Sequence, residues 1–165
     1  YLSSSNTVLS DAKGVWARLD PPYAPAADIV KWAVDSRWMT MGVLRGGFNY
    51  TTVLLQMHFN GAGINAWEDL WGDYHEMVPH DAELLRRIST LSRYFGHKGF
   101  LTSTLWMPFA EEITSDAAHG TKFPLGDASV FSLVNLVSRE VSATLTATPP
   151  YTRYFDCYHG FELKG

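Results

Sequence analysis

Cysteine is nearly absent from this chain of 165 residues. The single Cys157 excludes an internal disulfide framework and a zinc site built on cysteine. It lies in an alternating apolar run, which predicts a small buried side chain there. Long runs of one kind are also missing. No stretch approaches the ~20 uninterrupted apolar residues of a membrane span, and no charged segment leads into an apolar core as a secretory signal would. No Lys/Arg cluster stands out against a net charge of −4, which argues against nucleic acid as the main partner. There is no internal repeat or low-complexity tract. Neither a Gly-x-Ser-x-Gly elbow, a P-loop nor a dinucleotide fingerprint occurs, and no cofactor is implied.

What the chain does have is aromatic surface. It carries six Trp, and 14% of its residues are aromatic. Such side chains pair a flat apolar face with a polar handle, as carbohydrate sites require, and they serve core packing equally well. The densest stretch is 59–72, which runs Phe59-Asn60-Gly61-Ala62-Gly63-Ile64-Asn65-Ala66-Trp67-Glu68-Asp69-Leu70-Trp71-Gly72. A short apolar strand that opens into an aromatic, acidic loop and then a helix has the form of a barrel strand's carboxyl end, where parallel α/β barrels build their active sites.

The character of the chain changes near residue 100. Residues 20–25 (Asp-Pro-Pro-Tyr-Ala-Pro) form a stiff connector. A short helix apolar on most faces can begin at Asp28. The run 50–59 is a buried helix or a buried strand, which periodicity alone does not decide. The most strongly marked element is a helix over 79–95. Pro79 suits a first helical turn, Asp81 and Glu83 favour the positive end of the dipole, and Leu84, Ile88, Leu91 and Phe95 make one stripe. Gly96 and Gly99 close it. Beyond Phe100 the pattern is mostly period two, with strands predicted over 130–137, 141–148, 151–158 and 161–164 and a tight turn at His159-Gly160.

Several distinctive blocks follow one another: Asn60-Gly61-Ala62-Gly63, Trp67-Glu68-Asp69-Leu70-Trp71-Gly72, then 79–88, Leu101-Thr102-Ser103, Trp106-Met107-Pro108, Phe123-Pro124-Leu125-Gly126, and Tyr154-Phe155-Asp156-Cys157-Tyr158-His159-Gly160-Phe161-Glu162-Leu163. This series resembles the C-terminal third of large glycoside-hydrolase-like proteins, in which a (β/α)8 barrel precedes a small β-sandwich. The likeness spans about residues 45–165, and the Trp-Glu-Asp-Leu-Trp-Gly and Tyr-His-Gly blocks are its most specific parts. It implies an α/β plus all-β chain: residues 1–99 the C-terminal part of a TIM-barrel-like domain, residues 100–165 an antiparallel β-sandwich. The run 50–59 would then be the last-but-one barrel helix, 64–69 the eighth strand and 79–95 the eighth helix. A full barrel takes about 250 residues, so the expected partners are carbohydrate and either the rest of a larger polypeptide or other chains. A secreted or surface location is expected with them.

Glycoside hydrolysis uses two carboxylates about 5 to 9 Å apart across the scissile bond. Glu68 and Asp69 are neighbours, and on a strand neighbours face opposite ways, so they are not that pair. Glu68 is the candidate acid/base, with its partner elsewhere. Trp67 and Trp71 are candidate stacking platforms, or packing residues at the rim. Asp69, Asp73 and His75 are candidates to touch sugar hydroxyls. His75, Glu76 and His80 do not have His-Glu-x-x-His spacing, so a metal is not expected. His58, in an apolar run, reads as a hydrogen-bonded core histidine, and His159 as a turn residue bonded to backbone. Asn49-Tyr50-Thr51 is a glycosylation sequon at Asn49. The rival to the hydrolase is a non-catalytic structural or carbohydrate-binding protein, or an assembly subunit.

Overall fold

A computed structural model of the chain describes residues 41–44, 50–66, 77–147 and 151–163. The expected connector at 20–25, the helix from Asp28, the sequon residue Asn49 and residues 67–76 lie outside these.

The described chain begins with a β–α–β unit. Strand β1 (Met41–Leu44) pairs in parallel with β2 (Gly63–Ala66), with Met41 opposite Gly63 and Leu44 opposite Ala66. Helix α1 (Thr51–Asn60) connects them. The undecided run at 50–59 is thus a helix. Its end is set by Gly61, which takes φ 61° and donates its backbone N–H to the His58 carbonyl at 3.1 Å, while Ala62 N–H bonds to Met57 O at 2.9 Å. This left-handed cap satisfies carbonyls that the helix cannot. Val53, Leu54, Met57 and Phe59 are all buried, because α1 is covered on several sides: by β1 and β2, by the second helix and by the β-structure that follows.

Gly61 has a second role. A Cβ there would sit 2.9 Å from Phe123 Cζ and 3.1 Å from Leu101 Cδ2, so the helix end can approach this aromatic cluster only without a side chain. Gly61→Ala is therefore expected to cost about 2 kcal/mol, from left-handed strain and displacement of the Phe123 ring. A drop in the denaturant midpoint at unchanged m-value would show it.

Helix α2 (Pro79–Lys98) matches the expected helix and extends it by one turn. Leu84 and Ile88 are buried, and with Tyr50, Val53, Leu54, Met57 and Ala62 they make one core cluster. Gly96 is passed through, and the helix ends on Gly99 at φ 91°. A 3-10 turn, Phe100–Thr102, leads into a second cluster of Leu101, Trp106 and Phe123. The Trp106 and Phe123 rings stack at 6.4 Å, and Trp106 Nε1 donates to Thr121 Oγ1 at 2.8 Å.

The remainder is sheet, in small pieces. Strands β3 (Met107–Pro108), β5 (Ala118–Leu125) and β6 (Ala128–Asn135) form an antiparallel sheet in the order β3-β5-β6. Separate two-stranded pairs join β4 (Ile113–Ser115) to β7 (Ala143–Leu145) and β8 (Tyr154–Asp156) to β9 (Phe161–Leu163). The β5–β6 hairpin turns on Gly126-Asp127, with Gly126 at φ 58°; a Gly in that position of a two-residue turn follows the right-handed twist of the strands. Across residue 100, the Phe59 and Phe109 rings meet at 5.1 Å, and Ser132 Oγ donates to the His58 carbonyl at 3.1 Å.

This architecture corrects the expected fold class. The described residues hold two α-helices, one parallel pair of strands and three small antiparallel sheets. They are not the closing units of a (β/α)8 barrel followed by a small antiparallel β-sandwich. A single β–α–β unit satisfies the same local patterns as the end of a barrel, because period and capping report one unit at a time. The half-buried strand over 141–148 shrinks to Ala143–Leu145, all three exposed. Cys157, expected inside, is exposed.

Candidate functional site

In a β–α–β unit the helix runs back against its strands. The start of α1 therefore lies at the carboxyl ends of β1 and β2. From that edge β2 passes into residues 67–76 and then into α2. Open α/β sheets bind ligands outside the carboxyl ends of their parallel strands, and the described residues nearest that edge are the starts of the two helices.

The candidates Trp67, Glu68, Asp69, Trp71, Asp73 and His75 and the sequon residue Asn49 all lie outside the described residues. Among the described residues, the starts of the two helices form a well-connected polar junction. The N-termini of α1 and α2 meet, joined by Asp81. This side chain is fully buried. Its Oδ2 accepts the backbone N–H of Tyr50 at 2.6 Å, and its Oδ1 accepts the Thr51 hydroxyl. A residue in the first turn of α2 thus caps α1 from outside it, since Tyr50, at the cap position, makes no side-chain cap bond of its own. Two helix N-termini, each carrying partial positive charge, favour the anion.

His80 adds a third donor. Its Nδ1 lies 3.1 Å from Asp81 Oδ1, and its side chain is 73% exposed. An ionised carboxylate only accepts, so Nδ1 carries the proton in this bond and Nε2 of the neutral ring is left as the acceptor. Burial pushes the Asp81 carboxyl up, but bonds from Thr51, Tyr50 and His80 outweigh it and hold the group below its ordinary value. The edge therefore presents an exposed imidazole, oriented from behind by a buried carboxylate. From the sequence, His80 stands out only for its nearness to His75 and Glu76, and Asp81 only as a first-turn acid. The pairing was accessible only as the adjacent letters His-Asp at a helix start, a weak signal.

Among the described residues no group of three or more His, Cys, Asp or Glu could hold a metal ion, and no helix is long and apolar enough to cross a membrane.

The other carboxylates with shifted pKa are also held as anions. Arg86 and Arg87 pull Glu83 down to about 2. Lys122 lowers Glu112, Arg139 lowers Asp116 and Arg153 lowers Glu162. Burial pushes Asp156 up, and its bonds from His159 and Tyr158 more than reverse that. A glycosidase's general acid needs the opposite, a carboxyl whose pKa is raised. None of these six groups is suited to donate a proton near neutral pH.

No family model, curated protein or solved structure matches the chain.

Proposed function

We propose that the carboxyl edge of the β1–β2 pair is a carbohydrate site. Trp67 and Trp71 supply faces for a sugar ring, Asp69, Asp73 and His75 bond its hydroxyls, and Glu68 acts as acid/base in a glycoside-hydrolase-like cleavage. The supporting observation is the parallel β–α–β unit, whose second strand runs directly into this aromatic and acidic segment. The oriented His80, a few residues further along the chain, adds a polar group suited to a hydroxyl-rich ligand.

A second reading, non-catalytic carbohydrate binding, is favoured by one observation. The buried carboxylate at this edge, Asp81, is tied up in holding two helices together and is not a second catalytic acid. The two readings separate on Glu68→Gln and Trp67→Ala. If the site hydrolyses glycosides, Glu68→Gln lowers kcat on aryl glycosides by about 100-fold or more with binding retained, while Trp67→Ala weakens binding by up to about tenfold. Binding with no turnover, dependent on Trp67 and indifferent to Glu68→Gln, selects the binding module.

A further inference from the structure

Away from this edge, one side of α2 carries Arg86, Arg87 and Thr90, and the β8–β9 hairpin lies against it. Arg87 fixes the contact. Its Nη1 donates to the Tyr158 carbonyl at 3.2 Å, and its guanidinium carbon sits 4.9 Å from the centre of the Tyr158 ring. Between helix and hairpin is a cleft of about 310 Å³, lined by these residues together with Leu91, Cys157, His159 and Gly160. That volume is at the small end of ligand sites, so it suits one ring or less.

The charge within it is unbalanced. Glu83 is one carboxylate serving two guanidiniums: it accepts Arg86 Nε and Nη2 and Arg87 Nε, all at 2.7 Å. Among the described residues one positive charge is left over, and Glu83 itself does not line the cleft. On the hairpin, Asp156 is occupied by the turn. Its Oδ1 accepts the N–H groups of Tyr158 and His159 at 3.0 Å each, and its Oδ2 bonds His159 Nδ1 at 2.8 Å. Asp156 does not line the cleft either. Glu83 and Tyr158 hold the Arg87 fork in place, which lowers the ordering cost of receiving an oxyanion.

We propose that this cleft binds a small carboxylate ligand, of the size of a sugar acid, with the carboxylate on Arg86 and Arg87 and the remainder against Thr90, Tyr158 and His159. The site is independent of the carbohydrate site at residues 67–75. That one is tested through Trp67, so either can fail without the other.

The test is a titration of the full chain followed by NMR of the arginine Nε–H groups, with glucuronate, acetate and glucose as probes, at low salt. Glucuronate is expected to shift the Arg86 and Arg87 signals, and Arg86→Gln to weaken it about tenfold. Arg86 is the residue to change because its side chain is 65% exposed, whereas removing Arg87 also frees the hairpin. A matching response to acetate assigns recognition to the carboxylate alone, and a stronger response to glucuronate assigns part of it to the ring; both support the proposal. No shift at either arginine, shifts unchanged in Arg86→Gln, or an equal response to glucose would overturn it.

Discussion

Asp81→Ala is expected to destabilise the protein by about 3 kcal/mol, the largest loss from any single polar side chain described above. The change removes the acceptor used by the Tyr50 amide and the Thr51 hydroxyl, so it combines loss of a helix cap, about 1 kcal/mol, with the cost of disrupting buried hydrogen bonds to a charged group, about 2 kcal/mol. Asp81→Asn keeps the shape and one oxygen, and is expected to lose roughly half as much. The group also has a pH signature. Its folded pKa lies below the ordinary value of 3.8, so its contribution is fully present above that value and is lost as pH falls through the folded pKa. Equilibrium denaturation of both variants checks this. A cost below about 0.5 kcal/mol for Asp81→Ala would mean that the junction of the two helices does not depend on the carboxylate.

The second large effect belongs to His58 and appears at milder pH. Burial lowers this imidazole from 6.5 to about 4, so the folded protein keeps it neutral where the unfolded chain protonates it. Above pH 6.5 neither state binds the proton and there is no penalty. As pH falls from 6.5 to about 4, the unfolded state gains protons and folding stability declines; below that the penalty is constant. The full difference corresponds to about 3 kcal/mol, an upper figure because part of the residue meets solvent. His58→Leu should flatten the decline between pH 6.5 and 4 and leave the steeper acid loss below pH 4, where Asp81 titrates. An unchanged slope in that variant would place the proton uptake elsewhere.

These residues also show which parts of the molecule were legible in advance. Helix α2 was readable because Pro79, the first-turn Asp81 and the Leu84–Ile88 stripe all favour the same element, and burial of Leu84 and Ile88 follows. Helix α1 was ambiguous because it is covered on so many sides that its apolar residues show no single face. Strand β5 escaped notice for a related reason. As the middle strand of its sheet it buries Gly120, Thr121, Lys122 and Phe123 consecutively, and three of those four are not apolar. Lys122 is tolerated inside because it bonds Glu112 and lies 5.5 Å from the centre of the Phe131 ring. The clear alternation over 141–148 misled in the opposite direction: among the described residues β7 pairs only with β4, and it is exposed throughout. The expected barrel end failed because a β–α–β unit looks the same from within whether or not further strands continue the sheet. The aromatic and acidic composition of 67–76 is plain in the sequence, while the His80–Asp81–Thr51 linkage depends on two helix starts meeting across 30 residues of chain.

The measurement that bears most directly on the central claim is tryptophan fluorescence of the full chain during titration with a panel of neutral oligosaccharides, repeated with Trp67→Phe and Trp71→Phe. A carbohydrate site at the carboxyl edge of β1–β2 predicts a saturable change in emission with at least one oligosaccharide, reduced or abolished in both variants. A saturable change that persists in both variants, or no change with any member of the panel, would contradict it.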